Sequence, residues 1–402
     1  MVANLLDDEV LDLGLSPVAD EAPMTDEQIS ARYVTGEIRI VTDQARTQLA
    51  ELPTVLSSGR WELQPDFQRR SRWSVGKQSR LIESFIMNVP VPPIFLYEYE
   101  YSKYQVMDGL QRLTALDAFY KNELILTDLE HWQVLEGRTY DDLPLQLRQG
   151  IDRRYLSSIV LLYETAQGGD QADQLKQLVF ERINSGGEPL TAQESRNALS
   201  DGPLNKALAK LARTPSFCRE WHIPQPDEHE LQTGEVSEEV LQNERYRQME
   251  DIEMVLRFFA HRQRGTETGP RRLRPFLDEY WTKANRHFAP KLVDEIGEIF
   301  VRTIDLVESV LGERAFWVRR DRNGDRSWVP RATLLAYDSV MAAFSKHLDA
   351  AELLVERKNE VVNGIETLYD MNSTAFDGRR TDPKDLAQRD ALIEELLVQV
   401  IA

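Results

Sequence analysis

Three short segments hold the residues whose types and spacing could do chemistry. The first is Met107-Asp108-Gly109-Leu110-Gln111-Arg112-Leu113, where a strand-like run ends, a glycine permits close backbone approach and a helix begins. A helix start presents unpaired N–H groups and a positive dipole end, and an arginine one turn in adds a planar fork suited to phosphate. The segment reads as an anion cradle. The bland alternative is a plain N-cap at Asp108 and a surface charge at Arg112. The second segment runs from Phe180 to Glu194 and contains Arg182, Asn184, Ser185-Gly186-Gly187 and Thr191-Ala192-Gln193-Glu194. Thr-x-x-Glu is capping-box spacing. The same residues could let Asn184 and the loop amides meet phosphate while Glu194 holds a divalent cation, since magnesium favours carboxylate plus phosphate oxygens. Capping and metal binding compete for one carboxylate. The third segment, Pro65-Asp66-Phe67-Gln68-Arg69-Arg70-Ser71-Arg72-Trp73, interleaves basic and aromatic residues. Nucleic-acid contact with base stacking and an ordinary charged strand edge are both open readings.

The elements that must position these residues follow from hydrophobic spacing. Leu81, Ile82, Phe85 and Ile86 mark a helix after the start signal Ser74-Val75-Gly76-Lys77-Gln78. Pro90-Val91-Pro92-Pro93 stops it and feeds a strand at Ile94-Phe95-Leu96-Tyr97. Tyr104-Gln105-Val106-Met107 is a second strand that runs into Asp108-Gly109, and Leu113, Leu116 and Phe119 line the helix that follows. Leu156 to Tyr163 is a third strand, followed by a helix through Leu175, Leu178, Val179 and Ile183. Beyond about residue 203 strand signals almost vanish. Met249, Ile252, Leu256 and Phe259 predict one amphipathic helix, and Leu292, Ile296, Ile299, Leu306 and Val310 another. The expected organisation is α+β: an acidic disordered tail over 1–37, a small α/β domain over 38–202 and an α-helical domain over 203–402.

Composition bounds the function. The 402 residues suggest two domains at roughly 150 residues each. No apolar run approaches the ~18 residues that span a bilayer, and the first residues lack the basic region of a secretory signal. A cytoplasmic protein without a membrane partner is expected. The single cysteine, Cys218, excludes an internal disulfide and a multi-thiolate zinc site, and reads as a small packed residue. The net charge of −19 argues against a surface that tracks nucleic acid throughout. The charge is uneven, however: residues 1–35 hold eight acids against Arg32, and residues 225–253 hold ten against Arg245 and Arg247. Local basic patches remain possible elsewhere.

Taken together, Gln68-Arg69 with Trp73, Leu81-Ile82-Glu83-Ser84 leading into Pro90-Val91-Pro92-Pro93-Ile94, Asp108-Gly109-Leu110-Gln111-Arg112-Leu113, Arg182-Ile183-Asn184 and Leu190-Thr191 resemble the N-terminal domain family of GmrSD-type type IV restriction endonucleases. Met249-Glu250-Asp251 followed by Val255-Leu256-Arg257-Phe258 is similar to that family's helical half. The family in turn resembles the ParB and sulfiredoxin superfamily, which implies a small α/β domain whose Gly-containing turn and following Arg hold a nucleotide. Related defence proteins depend on Asp-Gly-Gln-Gln-Arg for nucleoside triphosphate hydrolysis. Asp108, Gly109, Gln111 and Arg112 match that motif, and Leu110 replaces its first Gln. The resemblance thus implies Asp108, Gln111 and Arg112 as catalytic residues, Gln68, Arg69, Gly109, Arg182 and Asn184 as nucleotide-binding residues, and Glu194 as a magnesium ligand. Larger relatives carry a His-Asn-His nuclease domain. Here only His261, His287 and His347 follow residue 231, and His222 has no partner Asn and His at suitable spacing.

Three functional classes follow. The first is a magnesium-dependent, nucleotide-hydrolysing sensor subunit of a prokaryotic restriction or phage-defence system, in which Gln111 orients the attacking water and a separate nuclease subunit cuts modified or phage DNA. The second is a nucleotide-gated DNA-binding module without turnover, using Arg69 to Arg80 and Arg314 to Arg331 as its contact face. The third is an acidic, antitoxin-like partner that imitates nucleic acid.

Overall fold

The alternating apolar residues around Ile94 and Val106 form the two central strands of a mixed sheet. A computed structural model of the chain describes residues 5–13, 24–35, 42–62, 73–162, 179–180, 182–183, 191–199, 202–264, 273–322, 325–378 and 383–402. The chain divides into two units, one of Val18–Leu199 and one of Met1–Pro17 with Ser200–Ala402.

In the first unit a helix α1 (Asp26–Thr35) precedes β1 (Thr42–Gln48), α2 (Leu52–Ser57), β2 (Trp61–Glu62), α3 (Val75–Met87), β3 (Ile94–Glu100), β4 (Lys103–Asp108), α4 (Leu110–Tyr120), α5 (Leu145–Asp152), β5 (Tyr155–Leu161) and α6 (Ala192–Leu199). The sheet order is β1-β5-β3-β4-β2. β1 with β5 and β3 with β4 are antiparallel, while β3 with β5 and β2 with β4 are parallel. Strand alternation sorts the side chains onto two faces. Ile94, Leu96 and Val106 join Leu81, Ile82, Leu113, Leu116 and Phe119 in the core beneath α3 and α4. Met107, Phe95, Tyr97 and Leu161 form a smaller cluster with Val179, Phe180 and Ile183. Ser74 caps α3 by accepting the N–H of Lys77 at 3.3 Å, and Asn88 ends it at φ 60°. The expected strands and the helices through Leu81 to Ile86 and Leu113 to Phe119 therefore appear, while most of the helix expected through Leu175 to Ile183 lies outside the described residues. β1 was not expected, because its sequence Thr-Asp-Gln-Ala-Arg-Thr-Gln is polar on both faces and five of its residues are exposed.

The second unit is almost wholly helical: α7 (Pro203–Leu211), α8 (Pro215–Glu220), α9 (Glu228–Thr233), α10 (Glu238–Gln242), α11 (Glu244–Arg247), α12 (Glu250–Arg264), α13 (Leu273–His287), α14 (Pro290–Leu311), α15 (Leu334–Ser345), α16 (Ala351–Glu356), α17 (Lys358–Met371) and α18 (Pro383–Ile401). The 22-residue α14 lies at its centre, burying Val293, Ile296, Phe300, Ile304 and Val307 among α7, α8, α15 and α17. Mixed α/β architecture followed by a helical region is thus the fold. One antiparallel hairpin interrupts the helices, β6 (Val318–Arg322) with β7 (Asp325–Val329). Among the described residues no helix is long and apolar enough to cross a membrane.

Two expectations are corrected here. The 1–37 segment is not a disordered tail throughout. Residues 5–13 dock onto the helical unit, with Glu9 fully buried and Leu13 in the core, and residues 26–35 are helical. The acids that looked like a solvated run are partly neutralised by arginine and capped by local turns, which sequence alone does not show. The proposed basic face at Arg314–Arg331 is also changed. Arg319 pairs with Glu366 and Asp370 and stacks with Arg314 on Trp328, and Arg326 donates to the Asp370 carbonyl, so Arg319 is drawn into the fold while Arg314, Arg326 and Arg331 stay exposed. Cys218 is buried, and burial raises its thiol to about 11 despite nearby Arg213, as suits a packed residue.

Candidate functional site

The site begins where β4 ends. Asp108 leads into Gly109, whose φ of 100° is left-handed and favours glycine. A Cβ there would lie 2.3 Å from Ile94 Cγ2, so glycine is required by space as well as by backbone angle. The tight approach lets α4 start directly beside the first residue of β3. Its first-turn N–H groups have no acceptor within the helix, and its dipole is positive at this end. The strand–glycine–helix turn has the form the sequence predicts.

Arg112 does more than face outward. It is 9% exposed. Its Nη1 donates to the carbonyls of Pro92 at 2.5 Å and Pro93 at 3.2 Å, and its Nη2 to Asp108 Oδ2 at 2.6 Å. The guanidinium therefore ties the Pro90–Pro93 linker to the strand–glycine–helix turn. The surface-charge reading of Arg112 is corrected, and so is the N-cap reading of Asp108. Gly109 occupies the cap position without a side-chain cap bond, while the Asp108 carboxylate pairs with arginine.

Gln111 supplies the next link. Its Oε1 accepts the N–H of Trp73 at 3.1 Å, while Gln78 Nε2 donates to the Trp73 carbonyl at 2.9 Å. Lys77 Nζ sits 4.9 Å from the Trp73 ring centroid. Trp73 is the first described residue after the segment that carries Gln68 and Arg69, which lie outside the described residues. Leu110, in the place of the motif's first Gln, packs on the core.

The second sequence segment approaches the same strand from the other sheet face. Val179, Phe180 and Ile183 pack with Met107, the residue before Asp108. Arg182 between them is exposed. Asn184 lies outside the described residues. Further along, Thr191 and Glu194 form the capping box: Thr191 N–H donates to Glu194 Oε2 at 2.8 Å and Glu194 N–H to Thr191 Oγ1 at 3.2 Å. α6 buries an entirely polar run in which Gln193 Nε2 donates to Asn197 Oδ1 at 2.9 Å and Arg196 Nη1 to Gln193 Oε1 at 3.0 Å. Among the described residues no group of three His, Cys, Asp or Glu side chains could hold a metal ion. Glu194 by itself, committed to the cap, does not make a magnesium site.

Sequence reasoning missed the parts that fix the site from outside the motif. The Pro92 and Pro93 carbonyls were read only as a helix stop. Glu83, buried on α3, accepts N–H groups from Glu130, His131 and Trp132 at 3.2, 2.7 and 2.8 Å and so pins the 124–135 loop to the helix. Burial raises its carboxyl, but these N–H groups and the His131 charge outweigh burial and hold it below the usual range. The signal was a glutamate inside an apolar helix stripe, Leu81-Ile82-Glu83. His222 follows α8 in a left-handed conformation with its carbonyl accepting from Asn243 Nδ2 at 3.1 Å.

In comparison with known proteins, residues 52–200 match the family model described as GmrSD restriction endonuclease, N-terminal domain. The matched stretch covers α2 to α6 and so the whole Asp108–Arg112 turn. No curated protein and no solved structure matches the chain.

Proposed function

We propose, from the match of residues 52–200 to the GmrSD restriction endonuclease N-terminal domain model, that the chain serves a restriction or phage-defence system as a nucleotide-binding subunit. The observation that carries the nucleotide reading is the Gly109 turn. It sets a helix start, with its N–H groups and dipole, at the end of a strand where phosphate oxygens can be met by backbone. Gln111 anchors Trp73 beside this helix start, and Val179, Phe180 and Ile183 pack on Met107 of the same strand, which supports the reading. In this reading Gly109, Gln68, Arg69, Arg182 and Asn184 contact the nucleotide. Arg112 and Asp108 hold the turn that presents it.

Hydrolysis is the finer step of the proposal, with Gln111 orienting water and magnesium arriving as the counter-ion of the triphosphate. One observation favours binding without turnover as the second reading. Arg112 and Glu194, the two residues expected to act on phosphate and metal, are both engaged in bonds that stabilise the fold. DNA and a separate nuclease subunit are the partners this role implies.

The deciding experiment is phosphate release from each of the four ribonucleoside triphosphates, with and without magnesium and DNA, alongside equilibrium binding of the same nucleotides. Binding with turnover supports the sensor reading, and binding without turnover supports the gated module. A chain that binds no nucleotide overturns both.

A further inference from the structure

A phosphate at the Gly109 turn needs a cation close by, and Arg112 is committed to the Pro92 and Pro93 carbonyls and to Asp108. The stretch from Trp73 to Arg112 holds three further side-chain cations, Lys77, Arg80 and Lys103. Arg80 pairs with Glu130 at 3.2 Å and Lys103 with Glu100 at 2.7 Å. Lys77 differs. Among the described residues it makes no ion pair, although Asp128 packs against the neighbouring Gly76. Its ammonium is instead 4.9 Å from the centroid of the Trp73 ring. That ring belongs to a fixed residue: Trp73 packs on the core, its N–H donates to Gln111 Oε1 at 3.1 Å and its carbonyl accepts from Gln78 Nε2 at 2.9 Å. Gln111 is the second residue of α4. Through Trp73 and Gln111 the ammonium is thus tied to the helix turn whose N–H groups have no acceptor within the helix. Lys77 is itself exposed, so the fold does not depend on its charge. A cation on an exposed aromatic face is held more weakly than one bonded to phosphate oxygens, and the flexible four-carbon stem of lysine lets the head transfer from one to the other.

We infer that Lys77 is a phosphate-binding residue for the nucleotide at the Gly109 turn, and that Trp73 holds its ammonium in place until the ligand arrives. The inference rests on the nucleotide reading of that turn and adds a residue to it. Backbone N–H groups and the Lys77 ammonium meet the phosphates, while Arg112 supports the turn from behind. On binding, the ammonium leaves the indole face.

The test uses the full chain and the four ribonucleoside triphosphates, titrated by calorimetry and by tryptophan emission. Lys77→Met keeps the apolar stem and removes the charge. It should weaken binding of the triphosphate that the parent takes by at least about tenfold, with an unchanged melting temperature, and Lys77→Arg should regain most of that loss. Binding should change the tryptophan emission of the parent, and Trp73→Phe should remove that change. The inference is overturned if Lys77→Met binds the triphosphate as the parent does, if Lys77→Arg binds as weakly as Lys77→Met, or if the emission change persists in full in Trp73→Phe. A parent that binds none of the four triphosphates overturns the nucleotide reading itself and this inference with it. A parent that binds while Lys77→Met is unaffected overturns the inference alone, so the two failures are distinguishable.

Discussion

Glu9 and Arg262 meet in a fully buried, two-pronged ion pair, Nε to Oε1 at 2.6 Å and Nη2 to Oε2 at 2.8 Å, although 253 residues separate them in sequence. Glu9 also accepts the N–H of Leu6 at 2.8 Å, its carbonyl accepts from Gln263, and Leu11 N–H donates to Gln263 Oε1 at 3.0 Å. The N-terminal segment is thus a strap on the helical unit, anchored by charge at Glu9 and by Leu13 in the core.

Glu9→Gln should therefore destabilise the helical unit. Removing one partner of a buried pair typically costs about 3–5 kcal/mol, because the remaining charge is left unpaired. Urea unfolding of the variant, and of a chain lacking residues 1–13, should show a clear loss of stability. Unchanged midpoints in both would mean the strap is not coupled to the fold.

Gly109→Ala joins a left-handed backbone angle to a clash with Ile94. The strain of such a backbone costs on the order of 1–3 kcal/mol, and the displaced turn should also lose nucleotide affinity. Thermal unfolding and nucleotide titration of the same variant check both effects.

Arg112→Ala leaves the Pro92 and Pro93 carbonyls and Asp108 without their donor. Hydrogen bonds to charged groups contribute about 1.5–3 kcal/mol, so this variant should lose stability as well as nucleotide binding. Full stability with binding abolished would make Arg112 a direct phosphate ligand instead of a positioning residue.

Glu194→Gln separates cap from metal ligand, since glutamine keeps the reach-back bond of the capping box and loses the charge a metal needs. The expected outcome is an unchanged melting temperature and unchanged nucleotide affinity in magnesium. A stable variant whose magnesium-dependent affinity falls would assign Glu194 to the ion.

Glu220 gives the pH dependence. Burial raises its carboxyl to about 8, the nearby Glu308 charge adds to this, and Arg219 opposes it. A folded value above the unfolded one means the protonated form is favoured in the native state. The stability it contributes is full below the unfolded value, near 4.5, and is lost as pH rises towards 8, with a slope of at most about 1.4 kcal/mol per pH unit. Glu220→Gln should flatten this fall and be the more stable protein at pH 8, as measured by denaturant unfolding across the range.

Local pattern determined the elements around the candidate site. The periodicity of Leu81 to Ile86, the proline stop, the alternation of Ile94 to Tyr97 and the Asp108-Gly109 turn are interactions among near neighbours, and each appears where the residues place it. The capping box of Thr191 and Glu194 is equally local. What only tertiary structure decided is which charges are used up. Arg112 looks like a free phosphate fork until the Pro92 and Pro93 carbonyls fold over it. Asp7 to Asp12 look like a solvated acidic run until Glu9 meets Arg262. Asp338 looks like an ordinary helix carboxylate until Arg257, 81 residues away in sequence, reaches it inside the helical unit. A charge's role depends on its partner and its distance from water, and both are set by residues remote in sequence.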